Sequence, residues 1–377
     1  MIQRFVLLLF LLACVCACAR QQPLIRVAIK TDADAVRLRL EGTYSLTDLK
    51  TGEHLLEGHG DTSAKLSVCE RKLCLDARPL GTDAIRVQAQ KGLGVHSGTD
   101  LTWYRGDLDV LANAAGQLST VNRLDLEDYL RGVLPREVPA NWPMAALQAQ
   151  AVASRTYALY RMTQTGDLSH DVSADVFSQV YGGRSAENWR TTRAVKDTRG
   201  KALVYQKQLV PAFFHANCGG HTENALFVWN LDSDVLQGTT CPYCIDRPGY
   251  AWKRNFHVRA VQNQLNNQGY PIGLIDAIEV VRRNPSGRAV ILQIHDTDNA
   301  TLTIPATEFR TVLGVDVVRS TRFEIVMQGY YFDLIGYGWG HGVGMCQQGA
   351  CGMALLGKKM REILEFYYNG ATLEKMY

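Results

Sequence analysis

Apolar and polar residues alternate with a period of two from Ile25 to about Val110, as in Ile25-Arg-Val-Ala-Ile29, Ala35-Val-Arg-Leu-Arg-Leu40 and Tyr44-Ser-Leu46, with a turn at Lys50-Thr-Gly52. Alternation of this kind puts every second side chain on one face and predicts strands and hairpins. From Leu124 to Leu134 the register changes to LDLEDYLRGVL, which predicts a short helix ending near Pro135. A long helix is expected after Pro139-Ala-Asn141-Trp-Pro143, with Asn141 as its N-cap and Pro143 in the first turn, where the missing N–H costs nothing. Its body, MAALQAQAVASRTYALYRM, is dense in alanine yet carries Gln148, Gln150, Ser154, Arg155 and Tyr157, a mixture suited to a helix lining a polar cleft. Residues 256–323 predict a small α/β insert, with strands near Ala277–Val281 and Ala289–Ile294, a turn at Asn284-Pro-Ser-Gly287 and a helix over Ala306–Leu313. An amphipathic helix from Lys358 to Tyr368 closes the chain. The expected class is mixed α+β: a β-rich domain over 23–115, then a helical and β region over 116–377 that carries the insert.

The composition narrows the function. With 46% hydrophobic and 20% charged residues among 377, the chain can bury substantial cores. Its 40 basic and 37 acidic side chains are spread along the length, so a net charge of +3 supplies no stripe for nucleic acid. Residues 1–19 read as an export signal: Arg4, an apolar run from Phe5 to Leu12, then small residues at Ala13, Ala17 and Ala19. Cleavage after Ala19 and lipidation at Cys14 or Cys18 are both compatible with this pattern, and such an anchor would be the only membrane attachment. The expected location is the cell envelope. Seven cysteines follow, of which Cys69 and Cys74, five apart, suit a local disulfide.

Three stretches carry candidate chemistry. In Pro135-Arg-Glu137-Val-Pro139 a lone carboxyl is held between two prolines beside Val133, Leu134 and Val138. An apolar, fixed setting raises a carboxyl pKa far enough for the group to carry a proton near neutrality, which cleavage of a glycosidic bond requires. The competing reading has Glu137 paired with Arg136 or Arg155. In FFHANCGGHTE and CPYC, Cys218 and His221 precede Cys241 and Cys244 by about twenty residues, the spacing of a four-ligand zinc site. His215 is an alternative ligand or a cleft residue, and a disulfide or a redox C-x-x-C competes with zinc. In Gly336-Tyr-Gly-Trp-Gly-His-Gly-Val-Gly-Met-Cys-Gln-Gln-Gly349, six glycines in fourteen residues allow close approach of a polymer, and Trp339 and Tyr337 offer faces for a sugar ring. Cys346 and Cys351 are spaced for a disulfide.

Taken together, YLRGVLPREVPANWPMAALQAQAVASRTYAL, DVFSQVYGG, FFHANCGGHTENALFVW, GYGWGHGVGMCQQGACGMA and ILEFYYNGATL resemble the SpoIID family, stage II sporulation protein D and the related amidase-enhancer proteins. The resemblance implies a peptidoglycan lytic transglycosylase acting on glycan strands stripped of stem peptides, with the glutamate of the P-x-E-x-P turn, here Glu137, as acid and base. It implies 1,6-anhydro-muramic ends, because the sugar's own C6 hydroxyl replaces water as nucleophile. Arg155, Gln179, Tyr181, His215, Trp339, His341 and Gln347 fall inside the matching motifs and are candidate substrate contacts. The family's usual serine in the last motif is Cys346 here, and a structural zinc at the Cys/His set is a feature of this sequence. The alternative from the same resemblance is a non-catalytic wall-binding protein that enhances a partner amidase.

Overall fold

The computed structural model describes residues 22–166, 169–175 and 178–377. The signal and lipidation readings therefore lie outside the described residues.

Alternation in the N-terminal third becomes an eleven-stranded sheet. The long strands Ala35–Asp48 and His54–Cys69 form a hairpin that pairs on to Ala84–Ala89 and Gly92–Ser97. Their inward residues Val36, Leu38, Leu40, Leu46, Leu66, Ile85 and Val87, with Val110 of the strand Asp107–Ala112, make one core. Cys69 and Cys74 are joined by a disulfide across a tight turn, with Cα atoms 6.1 Å apart.

The strand Leu118–Asp125 runs directly into helix α1, Leu126–Glu137, so the β-domain fixes where α1 begins. α1 does not stop at Pro135. The proline occupies the last turn, and the Val138 N–H still bonds to the Leu134 carbonyl at 3.0 Å, which carries Glu137 to the helix end. Helix α2, Met144–Thr165, starts later than expected: Pro143 stands at the N-cap position and its carbonyl accepts from Ala146 and Leu147, and Asn141 does not cap. The alanines Ala149, Ala151, Ala153 and Ala158 are all fully buried, which lets neighbouring elements approach α2 closely. These neighbours are α1, α3 (Trp189–Asp197) and the strand Lys201–Tyr205.

After the short helix α4, Ala225–Trp229, the chain leaves this core and builds another. Two three-stranded sheets, Ala251–His257 with Phe323–Gln328 and Tyr331–Tyr337, and Ile275–Arg283 with Ala289–Asp296 and Thr301–Pro305, pack with α5 (Val258–Asn267) and α6 (Ala306–Leu313). The apolar core of this insert draws on residues from Trp252 to Leu334, a wider span than 256–323. The chain then returns through Met345–Cys346, parallel to Phe214–His215, into α7 (Gln347–Leu355) and α8 (Met360–Tyr367). Both of these helices pack on α2. Among the described residues no helix is long and apolar enough to cross a membrane.

Candidate active site and cysteine cluster

A cleft of about 1250 Å³ lies between the α-rich core and the insert. Glu137, Ser178, Val180, Phe213, His215 and Gln347 line it on the core side, and Arg288, Ile291, Thr307 and Arg310 on the insert side.

Glu137 is the last residue of α1, at the end where the helix carbonyls leave a partial negative charge. One carboxylate oxygen accepts the Val180 N–H at 2.9 Å, and the Gln347 side chain lies beside the group. Burial outweighs these two hydrogen bonds and pushes the carboxyl up to about 7. Among the described residues Glu137 forms no ion pair, because Arg155 is committed elsewhere. Burial also keeps two histidines neutral. His215 is held well below its usual range, its Nδ1–H donates to Val343 O at 3.1 Å, and its buried Nε2 has no partner. His341 is pushed down to about 3; its Nε2–H donates to Phe214 O at 2.9 Å while Nδ1 accepts from Val343 N. Ser178 Oγ is likewise buried without a partner. Unsatisfied groups of this kind, in a cleft, are binding capacity for a hydroxyl- and amide-rich ligand.

Aromatic faces frame these polar groups. Trp229 packs at a tilt against Phe213, ring centroids 4.3 Å apart, and against His341 at 4.8 Å, and Trp339 lies under the Arg319 guanidinium at 4.5 Å. Both tryptophans remain partly exposed and line the cleft.

The structure thus brings together Glu137, His215, Trp339, His341 and Gln347, and separates three other candidates from them. Arg155 is fully buried and forms a two-pronged pair with Glu127 at 2.8 and 2.9 Å, which also accepts from the Tyr377 hydroxyl and the Gly200 N–H. Gln179 is fully buried, accepting from Tyr129 OH and donating to Ser154 O. Tyr181 donates to Asn122 at 2.8 Å and packs on Tyr129. None of the three faces the cleft; they support its floor, and Gln179 and Tyr181 flank the Val180 N–H that holds Glu137. Sequence reasoning missed Ser178, Trp229 and Arg288, though Ser178 and Trp229 stand inside motifs it had singled out.

The cysteine set also differs from expectation. Cys218, Cys241, Cys244 and Cys346 are all buried, with their sulfurs within 4.8 Å of one another. His221 is not among them: Gly219 and Gly220, both at positive φ, turn the chain so that His221 bridges to Thr240 and its ring bonds to Thr222 O. The fourth place belongs to Cys346, delivered by the parallel pairing of Met345–Cys346 with Phe214–His215. Its Sγ accepts the Cys218 N–H and caps α7 by accepting the Gly349 N–H, both at 3.2 Å. Cys351 forms no disulfide and instead accepts from Arg247 at 2.9 Å. A tetrahedral thiolate site needs sulfurs about 3.8 Å apart, and the cluster fits that requirement. Burial and three thiol neighbours push the Cys346 thiol well above its ordinary value, and a bound cation would compensate the charge of thiolates gathered this closely.

Residues 114–205 match the family model SpoIID, described as stage II sporulation protein, and residues 244–344 match a domain of unknown function, DUF8618. An uncharacterised protein of Brachyspira hyodysenteriae is 33% identical over 93% of each chain. The amidase enhancer of Bacillus subtilis is 30% identical over 65% of this chain and 40% of its own length. Stage II sporulation protein D of Bacillus amyloliquefaciens is 29% identical over 68% of this chain and 76% of its own.

Proposed function

The chain belongs to the SpoIID family, which ties it to the cell wall and the envelope, and on that premise we propose that it is a peptidoglycan lytic transglycosylase. The observation that carries this reading is Glu137: a carboxyl pushed up to about 7 by burial, without an ion-pair partner among the described residues, lining a cleft of about 1250 Å³. Protonated, it gives its proton to the oxygen between MurNAc and GlcNAc. The resulting carboxylate then takes the proton of the muramoyl C6 hydroxyl as that oxygen closes on C1, leaving a 1,6-anhydro end and consuming no water. One carboxyl suffices. Glu223, the nearest rival in the cleft wall, is bonded to Asn284, Ser286 and the Asn224 N–H. Val180 N–H and Gln347 hold Glu137 in place through both steps, and Trp229 and Trp339 offer sugar-stacking faces.

The four cysteines would hold a structural zinc. Four thiolates close its coordination, so the ion would supply no Lewis acid to the cleft and would tie Cys346, and with it the start of α7, to the loop at Cys218 and Cys241. The partners implied are glycan strands stripped of peptide, with a cell-wall amidase as the enzyme that strips them. Amidase-treated peptidoglycan digested with the wild type should yield anhydro-muramic ends by mass spectrometry, and Glu137→Gln should yield none. Absence of product from the wild type would refute the proposal and leave the wall-binding enhancer reading.

A further inference from the structure

The cleft carries more positive charge than its own acids balance. Arg136, Arg161, Arg282, Arg288 and Arg310 line it against Glu137, Glu223 and Asp316. Glu137 holds its proton up to about 7, and Asp316 is exposed at the rim. Glu223 is engaged by Asn284, Ser286 and Asn224, and reaches the Arg288 Nε only at 3.9 Å. Arg288, from the insert, is 2% exposed; Nη2 donates to Cys218 O at 3.0 Å, while Nε and Nη1 have no hydrogen-bond partner. Arg310, from α6, lines the same wall, bonded among the described residues to the carbonyls of Val315 and Val318. Burial and the neighbouring Arg288 charge push Arg310 down to about 10. Two guanidinium groups lining one wall of the cleft, one of them buried with N–H donors that no hydrogen bond satisfies, are costly without an anion.

The hydroxyls and N-acetyl groups of a wall glycan are neutral. Its one ionisable substituent is the lactyl carboxyl of muramic acid, an uncharged amide while the stem peptide is attached and a planar anion once the peptide is removed. A guanidinium fork matches that anion and cannot donate as strongly to the amide. Resting on the glycan-cleaving reading above, we propose that Arg288 and Arg310 form a carboxylate site for the free lactyl group of a stripped muramoyl residue. The insert is then the part of the molecule that makes the cleft selective. The site lies on the opposite wall from the acid: Glu137 is held by the Val180 N–H on the core side of the cleft, whereas Arg288 and Arg310 line the insert side. A carboxylate bound there leaves the Glu137 proton in place.

The test is calorimetric titration of full-length Glu137→Gln protein with amidase-stripped glycan oligosaccharides, and with the same oligosaccharides after their lactyl carboxyls are capped as methylamides. Free carboxylates should bind about ten-fold or more tightly than capped ones, the cost of losing a charge-assisted hydrogen bond. The difference should shrink in about 0.5 M salt. Adding Arg310→Gln should abolish the difference while binding of the capped glycan stays unchanged. Arg288→Gln should do the same; it also removes the bond to Cys218 O, so Arg310→Gln, checked for an unshifted melting transition, is the deciding variant. Equal affinity for both glycans, or a difference that survives Arg310→Gln, overturns the carboxylate site and leaves glycan cleavage standing. Binding of neither glycan overturns both.

Discussion

Replacing Glu137 by glutamine should abolish cleavage and also make the protein more stable, by an amount that depends on pH. The carboxyl has an ordinary value of 4.5 and is pushed up to about 7 by burial in the native state. Between those values the native chain holds a proton that the unfolded chain has released, so native stability falls as pH rises through this window. Below about pH 4 both states are protonated and the side chain costs nothing in charge. Above about pH 8 the native state carries a buried carboxylate; at about 1.4 kcal/mol for each pH unit separating the two values the full cost approaches about 3 kcal/mol, and partial solvent access brings it to about 1–3. Glutamine removes that cost and keeps an oxygen for the Val180 N–H. Urea unfolding followed by tryptophan fluorescence at pH 4, 6 and 8 should therefore show wild type and Glu137→Gln equal at the lowest pH and the variant ahead by about 1–3 kcal/mol at the highest. The wild-type kcat/KM should fall above about pH 7, as the acid form disappears. A stability difference that is flat with pH, or a variant weaker at pH 8, would refute the assignment of a raised carboxyl.

Three further outcomes follow from the same contacts. Gln347→Ala removes a hydrogen bond that favours the ionised Glu137, so the falling limb of the pH profile should move to higher pH while kcat drops; a limb that stays in place would sink the contact. Arg155→Met leaves Glu127 as a buried, unpaired carboxylate, which should cost about 3–5 kcal/mol in chemical denaturation; a loss under about 1 would mean that the pair is dispensable. Cys346→Ser should lower bound zinc below one equivalent by elemental analysis, reduce the melting temperature and slow cleavage, while His221→Ala leaves metal content unchanged; the reverse pattern would restore His221 as ligand.

What the sequence displays and what it conceals divide along the range of the interaction. Local patterns are readable: the α6 span Ala306–Leu313, the alternating strands of the N-terminal sheet and the disulfide between Cys69 and Cys74 all depend on residues close in the chain. Helix boundaries mislead where proline has two readings. The pattern around Pro135 points to a stop, yet the residue sits in the last turn of α1, and Pro143 precedes α2 rather than entering it. Polar side chains are harder, since a motif residue can serve a cleft from beneath it. Arg155 and Gln179 have the residue types of ligand contacts, yet no local feature shows that Glu127, 28 positions away, and Tyr129, 50 positions away, already satisfy them. Cys346 is beyond reach for the same reason, being brought to Cys218 across 128 positions by a two-residue parallel pairing.

That same pairing explains why the cysteines and the acid belong to one device although they share no ligand. Cys346 is at once a member of the thiol cluster, the residue that caps α7 through the Gly349 N–H, and the neighbour of Gln347, which begins α7 beside Glu137. On the other wall, Arg288 bonds to the carbonyl of Cys218, and Arg322, also from the insert, donates to Gly219 O. Disturbing the cluster therefore displaces a group on each side of the cleft, the amide that steadies the acid and a guanidinium of the insert wall. Rotation of a helix start by a fraction of an ångström is enough to lengthen a hydrogen bond to a carboxyl whose proton affinity rests on burial against two such bonds. A cation held by the four thiolates would act through the position of Gln347 and take no part in moving the proton, so its removal should reduce turnover in step with the melting temperature.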